Sequence, residues 1–138
     1  MIPYFNLVKY GLGGRQGSGN QMFSWVHITD LIKAAEFAFN HQEMVGVYNL
    51  SSPNPVKNKV LMQLLRKATG KSIGLPAYKW MLWLGSKLIG TEGELVLKSR
   101  WVVPTRLLEA GFTFNYPTLQ PALEQIVSEA PQWKYQLF

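Results

Sequence analysis

A mixed α/β fold is predicted for this chain of 138 residues by three observations. Several stretches repeat apolar residues at the 3.6-residue period of a helix, and short β-branched and aromatic runs stand between them. Glycine, proline and asparagine punctuate the boundaries between the two kinds of segment.

The stretch around which the rest is organised is residues 11–30. Five glycines fall within positions 11–19, followed by a short aromatic and β-branched run and then Asp30. Glycine at that density signals tight turns or close backbone approach. Residues 22–28 read as a strand. Ser24, Trp25, His27 and Asp30 therefore gather at one strand-to-helix junction, the kind of place where ligands meet backbone in α/β proteins.

In chain order, residues 1–10 are apolar with no capping residue ahead of them. Chain termini are usually polar and loose, so the expectation is a start in mid-domain. Thr29 or Asp30 is expected to cap a helix running to about Asn40. That helix carries Leu31, Ile32, Ala34, Ala35, Phe37, Ala38 and Phe39, apolar around most of its surface, and calls for neighbours on both sides. A short strand is expected over 46–52, ending in Asn49 and Ser51, with a turn-rich loop over 51–55.

The next helix, capped by Asn58, places Val60, Leu61, Leu64, Leu65 and Ala68 on one face and stops at Gly70. Pro76 is expected to open a helix to about Leu88, and residues 94–97 a further helical turn. Residues 99–103 read as a strand stopped by Pro104. A short helix over 105–110 is closed by Gly111. The last helix follows Thr118, with Leu119, Ala122, Leu123, Ile126 and Val127 as its buried stripe.

Composition removes several function classes. With no cysteine, the chain has neither a disulfide framework nor a thiolate metal site, which fits a reducing cytoplasm. His27 and His41 are the only histidines, so no metal is expected. The net charge of +6 invites a nucleic-acid reading. The lysines are scattered, however, and the densest group (Lys57, Lys59, Arg66, Lys67, Lys71) reads as a solvated helix face; no nucleic acid is expected. The most hydrophobic stretch, residues 80–89, is far short of the roughly 20 residues a bilayer span requires, and no membrane is expected.

The chemistry of a self-sufficient enzyme is not assembled here. Gly11-Leu-Gly13-Gly14-Arg-Gln16 narrowly misses the dinucleotide fingerprint, because Gln16 replaces the third glycine. Ser24, His27 and Asp30 make a Ser-His-Asp set on paper, but triads draw on separated segments. His27 is better read as a strand-end histidine and Asp30 as a helix cap. No Tyr-x-x-x-Lys pair is present, and no catalytic residue is assigned.

Three runs in this order and spacing carry a family resemblance: residues 11–31 (Gly-Leu-Gly-Gly-Arg-Gln-Gly-Ser-Gly-Asn-Gln-Met-Phe-Ser-Trp-Val-His-Ile-Thr-Asp-Leu), 47–56 (Val-Tyr-Asn-Leu-Ser-Ser-Pro-Asn-Pro-Val) and 103–117 (Val-Pro-Thr-Arg-Leu-Leu-Glu-Ala-Gly-Phe-Thr-Phe-Asn-Tyr-Pro). The chain resembles the C-terminal half of the extended short-chain dehydrogenase/reductases, in the NAD(P)-dependent branch of epimerase family proteins or nucleoside-diphosphate-sugar epimerases. The resemblance implies the C-terminal, substrate-binding portion of a Rossmann-type enzyme. Its last part, residues 84–127, would be the branch's small C-terminal domain of unknown function.

The absent N-terminal Rossmann half would hold NAD or NADP and supply the Tyr-x-x-x-Lys pair, leaving this chain inactive alone. A small-molecule substrate is implied. Ser24, Trp25, His27, Asp30, Asn49 and Ser51 match cleft positions of the family, with no catalytic role carried over. Residues 90–97 lack the phosphate-gripping arginine of the sugar-nucleotide epimerases. The alternative is a stand-alone binding module that covers its apolar surface by homodimerisation or domain swapping.

Overall fold

The computed structural model describes residues 2–78 and 98–131. Among the described residues the elements are five helices and a two-stranded antiparallel ribbon: α1 (Ile2–Lys9), β1 (Met22–Phe23), α2 (Ile28–Asn40), β2 (Val56–Lys57), α3 (Asn58–Ala68), α4 (Thr105–Glu109) and α5 (Leu119–Glu129). β1 pairs with β2 in the register Met22 opposite Lys57 and Phe23 opposite Val56.

The main core lies where α3 packs against α1 and α5. Tyr4, Phe5 and Val8 from α1 meet Leu61, Met62 and Leu65 from α3, and Leu119, Leu123 and Val127 close the cluster from α5. The apolar opening of the chain is thus a helix, which the absence of a capping residue had concealed. Its third turn ends in a Schellman closure: Leu12 N bonds Leu7 O, Gly11 N bonds Val8 O, and Gly11 takes φ +77°. The same closure ends α3 at Gly70 and α4 at Gly111, as the sequence led one to expect.

A second, smaller core joins Ala34 of α2 to Leu107, Phe112 and Phe114, with Phe37, Met44, Tyr48 and Leu50 packed against it. Phe112 meets Phe114 edge-on at 4.8 Å and Phe37 at 5.4 Å between ring centroids, the arrangement aromatic quadrupoles favour.

Four expectations need correction. Only Met22–Phe23 of the strand expected over 22–28 is paired, because the backbone beyond Phe23 turns its bonding to loop partners. Residues 46–52 are not a strand: among the described residues, 46–50 find no backbone partner. Residues 99–103 also stay outside a ladder: Arg100 N bonds Met22 O, and beside that single backbone bond Ser99 and Ser24 hydroxyls take the places of the others that pairing would use.

Fourth, residues 76–78 do not begin a helix, because Ala77 is bridged in parallel to Gln16. The remainder of that expected helix, and the turn expected over 94–97, lie outside the described residues.

Candidate functional site

The glycine stretch folds as a loop laid along residues 74–77. Leu75 N bonds Gly11 O, Gly14 N bonds Leu75 O, Ala77 N bonds Arg15 O and Gly17 N bonds Ala77 O. The approach explains one glycine directly: a Cβ on Gly14 would stand 2.6 Å from the carbonyl oxygens of Gly74 and Leu75. The close contact that glycine permits is spent on the chain's own backbone.

Gln16 and Asn58 lock this loop to the start of α3. Gln16 N donates to Asn58 Oδ1 at 2.9 Å, and Asn58 Nδ2 donates back to Gln16 Oε1 at 2.7 Å. Both residues are buried. Asn58 is therefore the first residue of α3 and not its cap; Lys57 occupies the cap position without a side-chain bond. The leading amides of the helix are satisfied by main chain, with Asn58 N bonding Gln21 O and Lys59 N bonding Gly19 O.

The strand-to-helix junction is equally closed. His27, not Thr29 or Asp30, is the N-cap of α2. Its Nδ1 accepts from Thr29 N at 3.3 Å, which puts the ring proton on Nε2, where it is donated to Gln125 Oε1 at 2.9 Å. The Tyr116 ring lies 4.1 Å from the imidazole, centroid to centroid. Asp30 is buried within the first turn, and its carboxylate accepts from Asn115 N at 2.6 Å and Tyr116 N at 3.0 Å.

Ser24 Oγ donates to Arg100 O at 2.9 Å and accepts from Val102 N at 2.8 Å. Ser24, His27 and Asp30 thus face three different sets of partners, and none of their bonds joins one to another. A catalytic triad is not formed. Trp25 Nε1 donates to Asn54 O at 3.0 Å, and Ser51, buried, hydrogen-bonds to Trp25 O and Ser52 O. Asn49 alone of the six candidates is exposed, with no side-chain bond among the described residues.

Residues that sequence reasoning passed over do much of the holding. Gln125 closes the His27 ring from α5, and Arg106 stacks over Tyr48 at 4.2 Å while donating to Val47 O and Val45 O. Neither lies near its partner in sequence. The one available signal was Arg106 in the 103–117 run.

No group of three or more His, Cys, Asp or Glu that could hold a metal exists among the described residues. No helix among them is long and apolar enough to cross a membrane. Burial in the main core pushes the Tyr4 phenol above the usual 10.0.

Helix α2, whose flanking segments are joined by Ser52 N to Trp25 O at 2.6 Å, together with the short ribbon and the helical lobe built around α3, defines a mixed α/β chain. Comparison with known proteins identifies which. Residues 79–126 match the family model of a domain of unknown function, DUF1731. An epimerase family protein of Staphylococcus aureus (strain MW2) is 37% identical over 129 residues, covering 93% of this chain and 40% of the relative.

The chloroplastic epimerase family protein SDR39U1 homolog of Arabidopsis thaliana is 35% identical over 127 residues, 92% of this chain and 35% of its own. In three dimensions the chain is similar to the human epimerase family protein SDR39U1 (isoform 2), whose crystal structure was solved with NADPH. The TM-score is 0.77 at 29% identity, over 89% of this chain and 41% of that one. The chain belongs to the epimerase family, as a C-terminal portion. It spans about 40% of the length of the first curated relatives it matches.

Proposed function

We infer that this chain is the substrate-side portion of an NAD(P)-dependent oxidoreductase or epimerase acting on a small hydroxylated molecule, and that it performs no chemistry alone. The observation that carries the reading is the closed state of its best chemical residues. His27, Asp30 and Ser24 spend their hydrogen-bonding capacity on Thr29, Gln125, Asn115, Tyr116, Arg100 and Val102. They position the junction and do not act on substrate.

The described residues do not fit a dinucleotide. A pyrophosphate requires glycine backbone and the free amides of a helix start. Here Gly14 is pressed against Leu75, Gln16 fills the third glycine position, and the amides at the start of α3 are taken by Gly19 O and Gln21 O. The human relative was crystallised with NADPH; by this reading the nucleotide belongs to the part of such proteins that this chain does not span. Of the six cleft candidates Asn49 is the exposed one, with no side-chain bond among the described residues, and its side chain is free to touch substrate. A reducing cytoplasm suits a chain without cysteine.

The test compares this chain with a chimera in which it replaces the matching portion of the Staphylococcus aureus relative. The expected result is no NADPH binding and no nicotinamide-linked turnover by the chain alone, with NADPH binding in the chimera. Nucleotide-linked turnover by the isolated chain would overturn the reading. The competing reading, a stand-alone binding module, draws on the bare outer side of α2, and it predicts a stable dimer or captured partner and a chimera that binds no nucleotide.

A further inference from the structure

Two stretches of the sequence, residues 1–29 and 44–78, contain no aspartate or glutamate, and the fold brings them together. Helix α1, the glycine loop, α3 and residues 74–77 all come from them and are joined by core packing and main-chain bonds. The six described carboxylates, Asp30, Glu36, Glu43, Glu109, Glu124 and Glu129, belong to α2 and the turn after it, to α4 and to α5. The part of the fold around α1, the loop and the outer face of α3 is thus built from segments whose only charges are positive.

Lys59 and Lys67, both exposed, stand eight residues apart on the outer face of α3, about 12 Å along its axis. Lys57 precedes the helix and Lys71 follows it. Arg15 joins them from the glycine loop: a Cβ on Gly19 would stand 2.9 Å from Arg15 Cβ and 3.2 Å from Lys59 Cβ, so the two side chains start from adjoining positions. Arg66 is spent on Gly13 O at 2.6 Å. Arg15, Lys57, Lys59, Lys67 and Lys71 make no side-chain hydrogen bond or ion pair among the described residues.

Solvation of a helix face does not account for this placement. Cations in a last turn suit the negative end of the helix dipole, and Arg66 and Lys67 are there. Lys57 and Lys59 stand at the opposite, positive end, where carboxylates are favoured, and the first turn of α3 has none. With Arg15 beside Lys59, three cations gather at the end of the helix that disfavours them. A polyanion laid across them relieves a repulsion that the chain's own described residues leave in place.

We propose that Arg15, Lys57, Lys59, Lys67 and Lys71 form an interaction surface for an acidic polypeptide segment of a partner protein, its carboxylates running along α3. None of these residues is among the six cleft candidates, so the inference does not rest on the functional reading above. The chemistry of the face selects this partner among polyanions. Helix α3 has no aromatic side chain on which a base could stack, and its free cations are lysines, point charges without the fork that reads phosphate in two bonds. None of the exposed large apolar side chains belongs to α3, so the helix has nothing to bury in a lipid surface.

The test is titration of this chain with a short poly-L-glutamate peptide by calorimetry, with duplex DNA, single-stranded DNA and phosphatidylserine vesicles as parallel probes. The peptide should bind, and its affinity should fall by about 10-fold or more between about 50 and about 300 mM NaCl, as screening of exposed charges requires. Lys59→Gln with Lys67→Gln should weaken it by about 10-fold. Asn40→Glu with Gln42→Glu changes the net charge by the same amount at exposed positions outside the face, and should weaken it by less than about 2-fold. Circular dichroism of both double variants should match that of the parent chain.

Absence of peptide binding at the lower salt concentration would overturn the proposal. Equal weakening by the two double variants would overturn it in favour of a diffuse effect of net charge. Tighter binding of DNA or of the vesicles than of the peptide would reassign the face to nucleic acid or to lipid, and salt-sensitive self-association without any probe would reassign it to a second copy.

Discussion

The carboxylate of Asp30, buried in the first turn of α2, accepts hydrogen bonds from the main-chain amides of Asn115 and Tyr116, 2.6 and 3.0 Å away. An acid placed for a helix N-terminus thereby ties that helix to a segment 85 residues further along the chain. Removing the carboxylate leaves both amides without their acceptor. Asp30→Ala is expected to cost about 3 kcal/mol, since hydrogen bonds to a charged group contribute about 1.5–3 kcal/mol. Asp30→Asn should cost less, because its amide oxygen still accepts one bond. Urea unfolding monitored by circular dichroism gives both values, and equal losses would show that the one bond the asparagine oxygen retains contributes nothing.

Gln16 and Asn58 make the second prediction. Each supplies the other's buried donor or acceptor, so Asn58→Leu strands Gln16 groups in an apolar setting. The loss should be about 1–3 kcal/mol. Gln16→Leu should behave similarly, and the double substitution should cost less than the two single losses added. A double-mutant cycle checks this; strict additivity would mean the pair does not act as a unit.

Glycines in one loop should differ in their tolerance of a methyl group. A methyl group on Gly11 would meet open space, but the residue sits at φ +77°, so Gly11→Ala should cost about 1 kcal/mol through backbone strain. Gly14→Ala meets the Leu75 main chain at 2.6 Å, which no rotamer relieves. About 3 kcal/mol is expected there, the upper range for overpacking. Thermal unfolding of the two variants should rank them in that order, and the reverse order would contradict the loop geometry.

Tyr4 sets a pH dependence at the alkaline end. Burial raises its folded-state titration above the usual 10.0, while in the unfolded chain it ionises normally. Below about pH 10 both states hold the proton and this group adds no slope. Above that, the unfolded state gains charge that the folded state resists, so stability falls as pH rises through the folded-state value. Tyr4→Phe keeps the edge-on contact with Phe23, 5.5 Å between centroids. It should flatten the urea midpoint between about pH 9 and about pH 11 relative to the parent chain. An unchanged slope would assign the alkaline loss to other groups.

Helices were readable where a period and a terminator agreed. The apolar stripe of α5 is the one seen in the sequence, that of α3 is too except for the buried Met62, which was not read, and Gly70 and Gly111 close their helices as read, because an apolar face and a glycine stop are local properties of the chain. Strands were not readable in the same way. Residues 46–50 have the propensity of a strand but no backbone partner among the described residues, and pairing is a property of two segments. Residues 99–103 failed similarly, since Ser24 and Ser99 hydroxyls stand in for ladder bonds. At the candidate site the sequence named His27 and Asp30 as the junction's polar pair, yet exchanged their roles: the histidine caps α2 and the aspartate reaches across to Asn115.

By itself, then, the sequence determined the α/β class, the helical lobe, the glycine stretch and the family, because composition, periodicity and motif order are carried residue by residue. Only the tertiary structure decided what the polar residues do. Gln125 and Asn58 reveal their purposes once α5 and α3 bring them beside His27 and Gln16, and a buried hydrogen bond exists only when both partners arrive. The same holds for the bare side of α2, where the sequence asks for neighbours on both sides and the fold supplies them on one.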